Sequence, residues 1–229
     1  MFSRLSIRWV VGVFLFSLLT VIEASFTYGQ SSTAVFQQLS TEQGLPNPYA
    51  SAAVQDKLGF IWIGTFSGLV RYDGYRLKIF AHDQTNPSSL SSNYIRTLFT
   101  SRNGTIWVGT ALGLNRFDFE TGQFERFYFT KWDEFSNDIR SITEDALGYL
   151  WLGTAKGVFV VNPQTKEIQP LPVNASLGKA VYYIHTILAD DKYVWIGTET
   201  GLYCYDMAPK ALELFQKSDK PGSIPTNAA

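Results

Sequence analysis

Between residues 94 and 129 the hydrophobic pattern of the chain switches every few positions. Residues 94–100 alternate, with Ile95, Thr97 and Phe99 on one side and Arg96 and Leu98 on the other, which predicts a half-buried strand. Ser101-Arg102-Asn103-Gly104 interrupts the alternation with residues suited to a tight turn. A second apolar run covers residues 105–110 and carries Trp107. Gly113 closes the next hairpin, and residues 114–117 form a third strand. Asp118 and Thr121-Gly122 make a further turn before a fourth strand over residues 123–129. Four short strands joined by tight turns predict an antiparallel meander.

The same pattern returns along the chain. Trp62-Ile63-Gly64-Thr65, Trp107-Val108-Gly109-Thr110, Trp151-Leu152-Gly153-Thr154 and Trp195-Ile196-Gly197-Thr198 are four copies of one phrase, spaced by 45, 44 and 44 residues. Each is followed by a glycine and an aliphatic residue, at Gly68, Gly113, Gly157 and Gly201. First strands are expected near residues 50–54, 139–143 and 183–188, and fourth strands near 76–80, 167–171 and 211–215. A period of this length with β-type content marks a β-propeller, one four-stranded antiparallel blade per repeat. The expected fold is therefore all-β, with repeats over about 48–86, 93–131, 137–172 and 182–216. A packing residue is needed once per blade and a catalytic residue once per protein. The repeated Trp, Gly, Thr and Gly positions are accordingly read as structural. The tryptophans are expected between blades, and the mid-strand glycines where a ring or another backbone approaches closely.

Residues 35–39 resemble a fourth strand, and residues 217–229 resemble the lead-in to a fifth repeat, with Pro221-Gly222-Ser223 paralleling Pro87-Ser88-Ser89. The expectation from this pattern is an incomplete, open propeller rather than a closed four-bladed ring.

The first 29 residues differ in kind. Arg4 and Arg8 precede an uncharged run over residues 9–22, followed by Ala24, Ser25 and Gly29. That order predicts a secretory signal peptide cleaved after Ala24 or Gly29, and the run is too short to span a bilayer comfortably. The expected compartment is outside the cytoplasm, the periplasm of a bacterium. The whole chain has a formal net charge of -1 and no basic stripe, which argues against a nucleic-acid partner. One cysteine, Cys204, allows no internal disulfide or cysteine-based metal site, and two histidines, His82 and His185, supply no His-rich one. No catalytic residue, metal or cofactor is expected.

The pattern Ile139-Arg140-Ser141-Ile142-Thr143-Glu144-Asp145-Ala146-Leu147-Gly148-Tyr149-Leu150-Trp151-Leu152-Gly153-Thr154 resembles the two-component regulator propeller repeat. The opening from Phe36 to Asn47 is similar to the usual start of that sensor domain. The resemblance implies a periplasmic sensor propeller of hybrid two-component systems, often carbohydrate-responsive, with further blades and a kinase elsewhere in the full-length protein. No dimerisation helix with a phospho-accepting histidine and no glycine-rich ATP box occurs among these residues. His82 and His185 are read as structural or surface residues in a loop and a strand.

Three functional readings follow. The first is a ligand-sensing module with a small oligosaccharide as partner, for which Tyr49, Tyr75, Trp132 and Tyr183 are the stacking candidates. The second is a stand-alone binding or interaction propeller, or a gene fragment without function. The third is a glycosidase-like enzyme. Ser101 to Trp107 is similar to the Asp-box turn of sialidases, but that box is a folding device. No non-repeated carboxylate pair stands out as glycoside hydrolysis requires. Asp56 and Asp145 are read as turn formers equivalent to Asn103.

Overall fold

The computed structural model describes residues 38–129, 131, 134–171, 184–218 and 223–224. Among them, sixteen strands form four separate four-stranded antiparallel sheets, each built from consecutive strands. The first blade comprises β1 (Ala50–Gln55), β2 (Ile61–Thr65), β3 (Gly68–Tyr72) and β4 (Leu77–Phe80). The second comprises β5 (Ile95–Thr100), β6 (Ile106–Thr110), β7 (Gly113–Asp118) and β8 (Gln123–Phe127). The third comprises β9 (Ile139–Glu144), β10 (Leu150–Thr154), β11 (Gly157–Val161) and β12 (Ile168–Pro170). The fourth comprises β13 (Thr186–Ala189), β14 (Tyr193–Thr198), β15 (Gly201–Asp206) and β16 (Ala211–Phe215). First strands of successive blades lie against one another, so they form the inner layer of an open arc. The signal-peptide residues 1–29 and most of the lead-in at 217–229 lie outside the described residues. So do residues 35–37 of the expected outer strand, and Gln38 and Leu39 are not in a strand.

The core lies between blades. Trp62 of blade one packs with Leu98, Phe117 and Phe124 of blade two. Trp107 packs with Ile142, Leu152 and Phe159 of blade three, and Trp151 with Ile187, Val194 and Tyr205 of blade four. These three indoles are 0%, 2% and 6% exposed, and Trp195 of the last described blade is half-buried. Beside Trp62, Trp107 and Trp151, the mid-strand glycine admits an isoleucine side chain from the start of the next blade. A Cβ on Gly64 would stand 2.6 Å from Cγ2 of Ile95, and one on Gly153 would stand 2.5 Å from Cγ2 of Ile184. Of the expected approach of a ring or another backbone, the ring is replaced by an isoleucine methyl. At Gly109 the Ile139 carbonyl oxygen also comes within 2.9 Å of the Cβ position.

Each repeated threonine closes the hairpin that follows it. Thr65 Oγ1 donates to the Gly68 carbonyl at 2.7 Å and accepts from Ser67 N at 3.1 Å. Thr110, Thr154 and Thr198 repeat the pair of bonds, and all four are fully buried. The glycine that ends the turn has positive φ, +133° at Gly68 and +126° at Gly113, where a side chain would be strained. A Cβ at Gly68 would also meet the Phe80 carbonyl oxygen at 2.9 Å.

The expected alternation of residues 94–100 is corrected by a β-bulge. Ile95 pairs with Thr110 and Thr97 with Gly109, so Arg96 is skipped, and Ile95 and Leu98 are both buried. Ser51 and Arg140 are skipped at the same place in blades one and three. The expected equivalence of Asp56 and Asp145 with Asn103 is also corrected. Both stand six residues before the tryptophan, where repeat two has Ser101. Asp145 Oδ1 accepts from Leu147 N and Tyr149 N, while its Oδ2 accepts from the Trp151 indole at 2.9 Å. Asp56 makes the corresponding three bonds, the indole of Trp62 at 2.7 Å. One carboxylate therefore shapes the turn and fixes the interblade indole. In repeat four the shorter turn still closes its hairpin, with Asp190 Oδ1 accepting from Lys192 N and Tyr193 N.

Candidate functional site

In an antiparallel blade, the segment leading into the first strand and the turn between the second and third strands share one end. We call this end the rim. The turns between β1 and β2 and between β3 and β4 lie at the far end. Loops at the end of a rigid scaffold are where binding residues concentrate.

At the rim of blades one and two, three aromatic rings form a stack. Tyr49, just before β1, stacks on Phe66 of the turn between β2 and β3, with centroids 5.9 Å apart and planes 20° apart. Phe66 stacks on Tyr94, just before β5, at 4.4 Å and 10°. The Arg96 guanidinium sits over the Tyr94 ring at 4.5 Å. Because Arg96 is the bulged residue of β5, its side chain leaves the ladder alternation and reaches blade three. There Arg96 Nε donates to Asp138 Oδ1 at 2.9 Å, and Arg140 Nη2 donates to Asp138 Oδ2 at 3.1 Å. Rings, guanidiniums and carboxylate thus run in one row along three blades. In blade four, His185 Nε2 lies 3.9 Å from Glu199 Oε1. His185 immediately precedes β13, which corrects its expected place in a strand.

The stack is held in place from below. Asn47 Nδ2 donates to Ser67 Oγ at 3.0 Å, and Asn47 Oδ1 accepts from Tyr49 N at 2.9 Å. Leu45, two residues earlier, is buried against Ile63 and Val70. The segment carrying Tyr49 is therefore anchored on both sides.

Of the four aromatic candidates, Tyr49 lies on the rim and is 67% exposed. Tyr75 is 95% exposed but belongs to the turn between β3 and β4, at the far end, so these two tyrosines do not share a site. Trp132 and Tyr183 lie outside the described residues. His82 is in a loop, where its backbone N donates to Asn93 Oδ1 and its Nδ1 lies 2.7 Å from the Leu90 carbonyl oxygen. Sequence reasoning missed Phe66, Tyr94, Arg96, Asp138 and Arg140. Their signal was positional: two precede an inner strand, two are bulged, and one follows the repeated threonine.

A hollow of about 790 Å³ lies elsewhere, along the outer edge of blade two at β8. Its charged groups are already engaged. Arg116 Nη2 pairs with Glu125 at 2.5 Å, and Arg126 donates to the Ser89 and Asn86 carbonyls at 2.7 and 2.9 Å. The rim is the better-built surface for recognition. Among the described residues no three His, Cys, Asp or Glu side chains gather to hold a metal ion. Nor is any helix among them long and apolar enough to cross a membrane.

Inner strands in series and interblade tryptophans define a β-propeller, with a loop-built rim at one end. The repeat is similar to that of the two component regulator propeller family, whose model matches residues 44–67, 89–111 and 133–156. Histidine kinase P4 of Formosa agariphila is 32% identical over 81 residues, which is 35% of this chain and 6% of that protein. The extracellular domain of BT3049 from B. thetaiotaomicron, assigned to a hybrid two component system, superposes with a TM-score of 0.69 at 27% identity. The match covers 78% of this chain and 26% of that one. The extracellular domain of BT4673, assigned to a one component system of the same organism, gives 0.64 at 22% identity over 88% of this chain and 25% of that one. The chain thus spans about a quarter of these two signalling domains. Virginiamycin B lyase of Staphylococcus aureus shares the fold alone, with a TM-score of 0.57 at 16% identity over 77% of this chain and 59% of that one.

Proposed function

We propose that this chain is the ligand-sensing propeller module of an exported two-component sensor, responsive to a small oligosaccharide, with no catalytic role of its own. The observation that carries the reading is the rim: an exposed tyrosine at the end of a fixed aromatic stack, tied through Arg96 and Asp138 to the next two blades. Aromatic faces backed by polar loops suit sugars, which offer both apolar faces and hydroxyls. The likeness to extracellular signalling domains supports a location outside the cytoplasm, as does the leader read in residues 1–29. Phosphotransfer in this reading belongs to other domains of the sensor. The half-buried face of Trp195 suits packing against a further blade, as the faces of Trp62, Trp107 and Trp151 do in this chain.

Titration calorimetry of the full chain against a panel of di- to hexasaccharides tests the proposal. The expected result is saturable binding of at least one glycan with no turnover of it. Binding of none, or hydrolysis abolished by a single carboxylate substitution, contradicts it.

A further inference from the structure

The aromatic stack at the rim has one open face. Phe66 has a ring on each side, since Tyr49 and Tyr94 both stack on it and make no ring contact with each other. Tyr94 gives one face to Phe66 and the other to the Arg96 guanidinium. Tyr49 gives one face to Phe66, has no second ring stacked on it among the described residues, and is 67% exposed. Asn47 bridges Ser67 and the Tyr49 backbone, which fixes the height of the ring relative to its support.

We infer that the outer face of Tyr49 is a stacking subsite for a single uncharged sugar ring, with Phe66 and Asn47 as positioning residues that the ligand does not touch. The inference rests on the carbohydrate reading above and narrows it. One free aromatic face takes one flat partner, so the ligand is gripped from one side and not sandwiched. A pyranose with equatorial substituents offers such a face, because only axial C–H bonds, and no hydroxyls, project from it toward the aromatic ring. The opposite end of the stack shows what a cation needs here. Arg96 lies on Tyr94 and is also held by the Asp138 carboxylate. Among the described residues no carboxylate pairs with the Tyr49 segment, whose bonds go to the neutral Asn47 and Ser67. Desolvating a cation on Tyr49 would lack that compensation.

The test uses the full chain and its Tyr49→Ala, Tyr49→Phe, Tyr49→Trp, Phe66→Leu, Asn47→Ala and Tyr75→Ala variants. Each is first shown to be folded by circular dichroism. The ligands are cellotriose, with equatorial substituents, mannotriose, whose C2 hydroxyls are axial and which is expected to bind more weakly, and choline as a small cation. The expected result is that cellotriose, or a congener from the panel, binds the unmodified chain. Tyr49→Ala then weakens it by about tenfold, and Tyr49→Phe leaves it within about threefold. Phe66→Leu and Asn47→Ala fall between, and Tyr75→Ala changes nothing. In Tyr49→Trp, the indole emission shifts on addition of the sugar, a signal that a merely structural tyrosine would not give. Sugar binding untouched by Tyr49→Ala overturns the subsite and leaves the carbohydrate reading standing. Choline binding that depends on Tyr49, without sugar binding, overturns the uncharged class. Binding of no sugar in the panel removes both.

Discussion

Gly64 and Ile95 show how one missing carbon sets the spacing of two blades. The Ile95 methyl occupies the place where a Gly64 side chain would begin, at 2.6 Å from the Cβ position. Gly64→Ala is expected to cost about 1–3 kcal/mol by overpacking. With Ile95→Ala added, the double variant should lose less than the sum of the two single losses, because the second change removes the methyl that clashes. Urea unfolding of the two single variants and the double variant measures the coupling, and strict additivity would show that the two positions do not touch. Asp145 works differently, holding two turn amides and one buried indole. Asp145→Ala leaves a donor of a 6%-exposed tryptophan unpaired and should cost about 1–3 kcal/mol, with a shift in tryptophan emission. At this scale the repeat was legible, because packing residues recur once per blade. The dual role of Asp145 is not legible in the repeat, because its counterpart in repeat two is Ser101, which carries no carboxylate.

Strands and turns were legible wherever alternation and turn residues agreed, as in β6, β7 and β16. The bulges were not. An alternating pattern gives no sign that Arg96 drops out of the ladder, although the burial of both Ile95 and Leu98, three apart, is its consequence. That single insertion sends Arg96 to Asp138 of the next blade. The turns also carry a pH signature. The carboxyls of Asp73, Asp118 and Asp190 lie below the usual range, chiefly because backbone amides of Arg76, Glu120 and Tyr193 respectively donate to them. Asp83 is lowered chiefly by the Thr85 hydroxyl. A depressed carboxyl binds fewer protons folded than unfolded, so its stabilisation is complete above the unfolded value of about 3.9 and is lost as pH falls through the lower folded value. The urea midpoint should therefore hold steady from about pH 6 to 5 and fall below about pH 4. Asp118→Asn and Asp190→Asn should each flatten that fall, and an unchanged slope in both would contradict the assignment.

At the scale of the molecule, four sheets pack in series through tryptophans that cross from one blade to the next. The architecture could be read from the spacing of four tryptophans. The rim could not, because its members come from three blades and from positions that differ in type between repeats: tyrosine before β1 and β5, but aspartate before β9. Only folding brings Tyr49, Phe66, Tyr94, Arg96 and Asp138 into one row. In the proposed function, ligand is read at this rim. Hydrogen–deuterium exchange of the full chain, with and without its best-binding oligosaccharide, tests that directly. Protection confined to residues 46–51, 66–67 and 92–96 is the expected result. Protection at the far-end turns, residues 56–60 and 73–76, or along β8, would contradict it.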